Sequence, residues 1–323
     1  MKPKSSRRPT IRVNSDVALA TRVCWHHFKE GLTQQETADQ VGISRASVNK
    51  IISDARASGL VRIEIDNRFS PYLDLEQKLI EAYGLQKAIV VPAPAKEEDS
   101  YLVVGLATGD YISTTLLPNS VLGISWGSTL HFAARSLRPR SGTNNIVVSL
   151  SGGLPRSMII NPYDNAANFA RALDAECYYI TAPLMVEESH LKEALLHSAS
   201  LRTVLDVARK IDLAVLTVTD LTANSRIMKH GVLTEEMRIS LLASNSVGSV
   251  CDHYIDPEGN IIDHPLNDRT IAVPIDIVRD VPMRVLAGGG IFKVDVLRAC
   301  LRANLCNVLI TEEHAAKALL RSG

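Results

Sequence analysis

Residues 32–52, LTQQETADQVGISRASVNKII, contain the signals of two short helices joined by a tight turn. Thr33 and Glu36 stand at the spacing of a capping box, which begins the first helix. Gly42 ends this helix because glycine adopts the left-handed conformation at little cost, and Ser44 caps the second helix. The spacing predicts a helix-turn-helix, and the alternative is an ordinary helical hairpin within a globular core.

The second helix presents short polar and basic side chains from its first turns, which suits the major groove of B-DNA. Its apolar side is predicted to consist of Ala46, Val48, Ile51 and Ile52. On the other side, polar side chains are expected to read base edges, while Lys50 and Arg56 contact phosphates. The predicted DNA-contacting residues are Thr33, Gln34, Ser44, Arg45, Ser47, Asn49, Lys50 and Arg56. The predicted partner is therefore double-stranded operator DNA.

The segments on either side extend this module. Residues 16–30 have a helical apolar period and are expected to pack across the back of the two helices, with Trp25 in the core. Residues 61–65 alternate between apolar and charged side chains, which predicts a strand, the wing of a winged helix. The basic residues between 2 and 8 either follow phosphates or lie in a minor groove, or they belong to a disordered, solvated tail. For specific contacts we favour the tail.

Length and charge predict a second domain behind this module. The chain has 323 residues, too many for one DNA-binding module, and we place the domains at residues 1–69 and 70–323. Residues 1–70 contain 12 Lys and Arg against 7 Asp and Glu, although the net charge of the chain is zero. A basic segment on an acidic body is what DNA contact at one end requires.

Several other classes of protein are disfavoured. No apolar run approaches the roughly 20 residues of a membrane helix, and the basic start has no apolar segment behind it. We therefore expect no membrane partner and a cytoplasmic location. Five scattered cysteines without a CxxC pair predict reduced thiols, mostly in the core, and no metal site.

Beyond residue 70 the chain alternates apolar strands with helices, which is typical of an α/β fold with a parallel, doubly wound sheet. One long helix is predicted over residues 189–211 and one strand over residues 213–221. Ligands of such sheets bind outside the carboxyl ends of the strands. The loops that follow the strands are therefore the places to search for a binding site.

Three of these loops contain glycine. In residues 125–130, SWGSTL, glycine permits close approach and a helix start offers free N–H groups to an anion, although a plain serine-capped turn has the same pattern. Residues 149–155, SLSGGLP, form a second loop after a strand. In residues 286–293, LAGGGIFK, three glycines precede Lys293, a compact cation suited to phosphate. Neither a Walker motif nor a dinucleotide fingerprint is present, so no cofactor is predicted.

Further stretches point to a family: GISWGSTL, SLSGGLP, SVGSVCDHYIDPEGNII and VLAGGGIFKVDVLRACLRANLCNVLITEEHAAKALL. Together with the helix-turn-helix they resemble bacterial regulators of the SorC family over nearly the whole chain. The resemblance implies a winged helix-turn-helix, then a sugar-isomerase-like and CoA-transferase-like domain that binds a sugar, often phosphorylated. It also implies homotetramers on operator DNA, and a phosphate held at the positions of Gly127, Ser128, Thr129 and Lys293.

The chain departs from this family at positions that affect the ligand. Ser151 stands where some relatives have arginine, Ser249 where some have an acid, and Trp126 where small residues are usual. These changes disfavour a bulky bisphosphate as the ligand. The candidates that are left are a smaller sugar phosphate, a polyol and a free sugar. The predicted effector-binding residues are Gly127, Ser128, Thr129, Ser151, Gly152, Gly153, Asp252, Gly289 and Lys293.

Two alternatives to a regulator remain open on the sequence. A sugar-phosphate isomerase fused to a DNA-binding module needs an acid and a base that face one cavity, and no spacing of His and carboxylates predicts such a pair. Lys293 would form a Schiff base only with a depressed pKa. A DNA-binding scaffold with an empty pocket is the other alternative. We predict a regulator without catalytic residues.

Overall fold

The computed structural model describes residues 12–61, 63, 72–156 and 160–321. The chain divides into two compact units, residues 1–69 and residues 70–323. The predicted wing, the basic residues between 2 and 8 and the proposed boundary at Phe69 lie outside the described residues, apart from residues 61 and 63 of the wing. Every helix in the described part of the chain is too short or too polar to cross a bilayer.

The first unit contains α1 over Arg12–Cys24, α2 over Gln34–Val41 and α3 over Arg45–Ala57. α1 continues as a π-helical turn over Trp25–Lys29. The core between the helices is formed by Val23, Ala38, Val48 and Ile52. The helix predicted over residues 16–30 does pack against the other two, as expected.

Two apolar residues that were predicted for this core lie outside it. Trp25 is 56% exposed, because Val23 and Cys24 fill the core and the next residue points about 100° further round the helix. Ala46 is exposed, because the buried side of α3 passes through Val48, Ile52 and Ala55 at helical spacing. The exposed side of α3 is therefore wider than predicted.

The caps of these helices follow the predicted pattern. The Thr33 hydroxyl accepts the Glu36 N–H at 3.2 Å, and the Glu36 carboxylate accepts the Thr33 N–H at 2.7 Å. The hydrogen bonds that the Glu36 carboxylate accepts from the Thr33 backbone and side chain lower the pKa of Glu36. Gly42 ends α2 with φ 75°, and the Ser44 hydroxyl accepts the Ser47 N–H at 3.1 Å. Local capping thus fixes the three-residue turn of the helix-turn-helix.

The second unit is built on a seven-stranded parallel sheet. Its strands are β1 Lys87–Val91, β2 Val121–Ile124, β3 Ile146–Gly153, β4 Glu176–Pro183, β5 Leu213–Leu216, β9 Met283–Ala287 and β10 Val308–Glu312. Their order in the sheet is β1-β10-β9-β5-β2-β3-β4. A smaller antiparallel sheet has the order β6-β7-β8 and contains β6 Val218–Asp220, β7 Gly248–Val250 and β8 His253–Ile255. The parallel, doubly wound sheet is confirmed; the antiparallel sheet was not predicted.

Twelve α-helices of the described residues belong to this unit. They are α4 Leu73–Tyr83, α5 Ser100–Thr115, α6 Ser128–Ser136, α7 Pro162–Leu173, α8 Ser189–Leu196, α9 Ala199–Ala208, α10 Arg226–Lys229, α11 Glu235–Ala243, α12 Pro265–Arg269, α13 Ile275–Arg279, α14 Val294–Arg302 and α15 Glu313–Leu320. Apolar clusters fill both faces of the large sheet. A third cluster, which includes Trp126, lies among the segments around the small sheet.

Two predicted elements are divided in the structure. The helix predicted over residues 189–211 is two helices, because Ser198 caps α9 by accepting the Leu201 N–H at 3.4 Å. The strand predicted over residues 213–221 breaks at Thr217, whose N–H donates to the Ser125 hydroxyl at 3.0 Å instead of to a neighbouring strand. The second half, β6, joins the small sheet, so this break directs the chain over the strand ends of the large one.

Candidate functional site

A cavity of about 1000 Å³ opens among the segments that follow the strands of the second unit. Its walls come from the turn after β1, the start of α6 after β2, β6 with α10, and the segment before α14. These segments follow the carboxyl ends of parallel strands, where ligands of such sheets bind. Predicted residues on its walls are Gly127, Ser128, Thr129 and Lys293.

The start of α6 is suited to an anion. Gly127 has φ 118°, and an added Cβ would meet nothing within 4 Å, so the glycine serves the backbone conformation of an open turn. α6 has no side-chain cap at this end, which leaves its first N–H groups for a ligand. The Ser128 hydroxyl is buried and has no hydrogen-bond partner among the described residues, and Ser128 lies on the cavity wall. A buried hydroxyl without a hydrogen-bond partner costs free energy, so a ligand that hydrogen-bonds to it removes this cost and binds more tightly.

Four basic residues line the same cavity, and two of them, Lys293 and Arg226, are close enough for their charges to interact. Lys293 is half-buried, and burial lowers its pKa; the Asp220 carboxylate opposes the shift and the Arg226 guanidinium adds to it. Neither cation forms a salt bridge with any residue that the structure describes. The Arg226 guanidinium lies 4.0 Å from the centroid of the Tyr101 ring. Ser225 beside it has a buried hydroxyl for which the described part of the chain offers no hydrogen-bond partner. Neighbouring cations that form no salt bridge favour the binding of an anion, although the Asp220 carboxylate offsets part of their charge.

Arg226 and Ser225 were not predicted. α10 has only four residues and carries no motif, and it reaches the cavity because the small sheet brings it there. Tyr101 also lines the cavity from the start of α5. The only sequence signal was an arginine followed by a lysine three residues later, which is common on helix surfaces.

The three-glycine loop before α14 contributes less than predicted. The Gly290 N–H donates to the Glu312 carboxylate at 3.1 Å, and the Ile291 N–H donates to Glu97 at 2.6 Å. A Cβ on Gly289 would lie 2.9 Å from the Glu312 side chain, so this glycine permits close packing away from the cavity wall. The loop therefore presents Lys293 to the cavity, while protein carboxylates occupy the N–H groups expected to hold phosphate.

The second predicted loop is largely strand, since β3 extends to Gly153. Ser151, Gly152 and Gly153 are buried and do not line the cavity. A Cβ on Gly152 would lie 2.6 Å from the Pro183 carbonyl, and one on Gly153 would lie 2.3 Å from the Tyr163 ring. Both glycines therefore allow close packing, which the sequence could not distinguish from a ligand-binding turn.

Gly153→Ala is expected to destabilise the second unit. The added methyl group overlaps the Tyr163 ring, whose hydroxyl donates to the Ala182 carbonyl at 3.0 Å. Overpacking of this kind costs about 1–3 kcal/mol, measurable by urea unfolding. Tyr163→Ala removes the overlap, so the cost of Gly153→Ala should fall sharply in that background. An equal cost in both backgrounds contradicts the explanation.

Asp252 and Ser151 lie behind the cavity and bind each other. The Ser151 hydroxyl donates to the Asp252 carboxylate, and the Trp126 indole N–H donates to both carboxylate oxygens at 2.8 and 3.0 Å. Trp126 lines the cavity, whereas Asp252 does not. Burial raises the pKa of Asp252 to about 6, and the hydrogen bonds from Ser151 and Trp126 oppose the shift. The structure places these two residues behind Trp126 and off the cavity wall, and their predicted contact with a ligand stays a prediction.

The raised pKa of Asp252 predicts a pH-dependent stability. Its pKa rises from 3.8 to about 6 on folding. The neutral carboxyl therefore makes its full contribution to the stability of the fold below about pH 4, and this contribution is lost as the pH rises through 6. The shift corresponds to about 3 kcal/mol. Asp252→Asn keeps the side chain neutral, so its unfolding free energy relative to wild type should increase between pH 4 and 7. Urea unfolding of both proteins tests this, and parallel pH profiles would contradict it.

The first unit presents the predicted polar face to solvent. Ser44, Arg45, Ser47, Asn49 and Lys50 are all exposed. Arg45 and Asn49 are four residues apart and share one face of α3. The Ser44 and Ser47 hydroxyls lie 2.8 Å apart and hydrogen-bond to each other, so capping already uses part of their capacity.

The remaining predicted DNA-contacting residues lie at the edges of this face. Thr33 is exposed and Gln34 half-buried at the start of α2. Arg56 is exposed near the end of α3, with its guanidinium 5.3 Å from the centroid of the Phe28 ring. This contact leaves the Arg56 hydrogen-bond donors accessible to phosphate while it orients the side chain.

The family model described as "Putative sugar-binding domain" matches residues 67–321 of this chain. The chain is similar to the erythritol catabolism regulatory protein EryD of Brucella abortus (strain 2308), with 29% identity over 95% of this chain and 98% of that protein. It is also similar to the deoxyribonucleoside regulator of Bacillus subtilis (strain 168), with 28% identity over 91% of this chain and 94% of that protein.

Among solved structures, the fold is similar to that of the full-length sorbitol operon regulator SorC from Klebsiella pneumoniae. The TM-score is 0.74 and the identity 22%, over 95% of this chain and 99% of that chain. At this identity the likeness establishes the fold, in agreement with the predicted α/β architecture.

Proposed function

This chain belongs to the sugar-binding domain family, as the resemblance to SorC-type regulators predicted, and we propose that it is a DNA-binding transcriptional regulator of a carbohydrate or polyol catabolic operon. The observation that carries the proposal is the presence, in one chain, of an exposed α3 face suited to DNA and a cavity within the matched sugar-binding domain. The two relatives named above are an erythritol catabolism regulatory protein and a deoxyribonucleoside regulator, and neither is named as an enzyme.

The proposed effector is a sugar phosphate. Lys293 and Arg226 offer positive charge, the start of α6 offers N–H groups, and Ser128 and Ser225 offer hydroxyls. A phosphate monoester provides both the charge and the acceptor oxygens that this set requires. The sugar hydroxyls would face the polar groups on the rest of the wall, such as Asp220 and Thr217.

The proposed regulation follows from thermodynamic linkage between effector binding and DNA binding. An effector that binds one arrangement of the protein more tightly than another changes the affinity for operator DNA by the same factor. We propose that the chain acts as a homotetramer in the cytoplasm, with residues 70–323 as its effector-binding and oligomerisation domain and residues 1–69 as its DNA-binding domain. The resemblance supports this assembly, and sedimentation of the purified chain tests it.

A binding assay tests the proposed function. Fluorescence anisotropy of labelled fragments from upstream of the gene that encodes this chain should show sequence-specific binding that weakens steeply with salt. A panel of sugar phosphates, free sugars and polyols should contain one compound that shifts the affinity. Equal binding to shuffled fragments, with every compound present or absent, would overturn the proposal.

The isomerase alternative finds little support in the cavity. No histidine lines it among the described residues, and the carboxylates on its wall are Glu97, Glu98, Asp99 and Asp220. The Asp220 carboxylate already accepts the Thr222 N–H at 3.0 Å and the Thr222 hydroxyl at 2.5 Å. Incubation with the same sugar phosphates should give no product, and turnover of any of them would support an enzyme instead.

A further inference from the structure

Asp220 is a carboxylate on the wall of the cavity, within electrostatic reach of Lys293. It is the last residue of β6 and pairs with Gly248 of β7, so the small sheet holds its backbone. The residue is only 4% exposed. A carboxylate that is buried this deeply loses hydration, and this loss costs free energy unless hydrogen-bond donors or a positive charge replace the water.

The two oxygens of this carboxylate have different surroundings. Oδ1 accepts the Thr222 N–H at 3.0 Å and the Thr222 hydroxyl at 2.5 Å, which fixes the orientation of the side chain. Oδ2 accepts no hydrogen bond from the residues that the structure describes, yet it is not enclosed by protein. Because Asp220 lines the cavity, Oδ2 is the oxygen that a ligand can reach.

The nearby cations do not pair with this carboxylate. Burial lowers the pKa of Lys293 and the charge of Asp220 opposes the shift, but neither Lys293 nor Arg226 forms a salt bridge among the described residues. A group that bridges the ammonium and the carboxylate must accept a hydrogen bond from one and donate a hydrogen bond to the other. A hydroxyl does both, whereas an ionised phosphate oxygen only accepts and is repelled by the carboxylate.

We infer that Asp220 is a specificity-determining residue of the cavity, which selects phosphate esters with a hydroxyl on the carbon next to the ester carbon. The inference rests on the proposed function, because it concerns the ligand of the same cavity. The ammonium of Lys293 has three donors, so it can contact the phosphate and this hydroxyl together. An analogue without the hydroxyl displaces water from Oδ2 and offers no donor in its place, which costs affinity.

Three small esters of equal charge test this selection in the wild-type protein. Glycerol 3-phosphate has both hydroxyls, propane-1,2-diol 1-phosphate keeps only the hydroxyl next to the ester carbon, and propane-1,3-diol phosphate keeps only the distant one. Calorimetry should show that the first two bind at least about tenfold more tightly than the third, because only they donate a hydrogen bond to the charged carboxylate.

Asp220→Asn is the sharpest variant, because it keeps the shape of the side chain. The Thr222 N–H needs an acceptor, so the amide oxygen takes the place of Oδ1 and the amide nitrogen takes that of Oδ2. A donor then replaces the acceptor, and the preference among the esters should fall below about threefold. Inorganic phosphate should bind more tightly than to wild type, because a negative charge is removed. Asp220→Glu keeps the charge but displaces it, and it should also reduce the preference.

A matched control removes the same charge elsewhere on the wall. Glu98 is exposed and lines the cavity, so Glu98→Gln should change all three affinities by one factor and leave their ratio at the wild-type value. If Asp220 is only a counter-ion for Lys293, Asp220→Asn should behave in the same way. Urea unfolding shows whether each variant folds, and the wild-type ratio tests the inference without any variant.

The outcomes separate this inference from the proposed function. If none of the three esters binds wild type, the sugar-phosphate part of the proposed function fails and the selection at Asp220 fails with it. If wild type binds all three equally, or if its preference survives in Asp220→Asn, the inference is overturned while the proposed effector class stands.

Discussion

Arg45→Ala and Asn49→Ala are each expected to weaken operator binding by about 5- to 150-fold, while the cavity binds its ligand as before. Both side chains are exposed on one face of α3 and make no salt bridge among the described residues. A side chain that reads a base edge contributes about 1–3 kcal/mol to discrimination between sequences, and truncation removes it. Anisotropy titrations with operator and shuffled fragments measure both the loss of operator affinity and the change in sequence specificity.

Two controls distinguish base contact from a general charge effect. Arg22 is exposed on α1, so Arg22→Ala removes the same charge from another part of the unit and should weaken binding only slightly. Lys50→Ala should weaken binding to operator and shuffled DNA alike, and it should reduce the salt slope by about 1. If Arg22→Ala and Arg45→Ala weaken binding by the same factor, both for the operator and for the shuffled fragment, α3 is not the recognition helix.

The helix-turn-helix could be predicted from sequence because its determinants are local. The Thr33–Glu36 capping box, the left-handed Gly42 and the Ser44 cap each act within four residues, and a short sequence window contains them. The parallel sheet could be predicted for a related reason, since its strands are short apolar runs between helices. Trp25 was misplaced because a helical period of apolar residues does not say which of two adjacent residues faces the core.

The cavity could be predicted only in part. Gly127, Ser128 and Lys293 follow strands directly, so strand order alone brings them to one edge. Arg226 and Ser225 reach the cavity through the small antiparallel sheet, whose three-residue strands leave no periodic signal. Their place depends on contacts between distant parts of the chain.

Glycine was the most ambiguous signal in the second unit. At Gly127 it serves an open turn with positive φ, whereas at Gly153 and Gly289 it allows side chains from other elements to pack closely. Gly127 and Gly289 follow apolar strands and Gly153 ends one, and the same residue type serves both purposes. Similarly, Asp252 is a polar residue in a turn, and only the structure shows that its partner is the Trp126 indole.

Lys293→Ala is expected to retain operator binding and to lose the response to the effector. Lys293 is half-buried in the cavity, near Arg226, and forms no salt bridge among the residues that the structure describes. A hydrogen bond to a charged group contributes about 1.5–3 kcal/mol, so its loss should weaken the binding of a sugar phosphate about 10- to 150-fold. By linkage, the concentration of effector that alters DNA affinity should rise by the same factor.

The matched control is Lys210→Ala, which removes an exposed lysine of the same unit. It should leave both the operator affinity and the effector response at wild-type values. Arg226→Ala should reproduce the effect of Lys293→Ala, because the two cations face the same anion. Calorimetry with the effector and anisotropy with the operator measure the two sides of the linkage separately. If the response of Lys293→Ala to the effector is unaltered, this lysine does not belong to the effector site. If DNA binding is lost in parallel, the substitution damages the fold and not only the contact with the ligand.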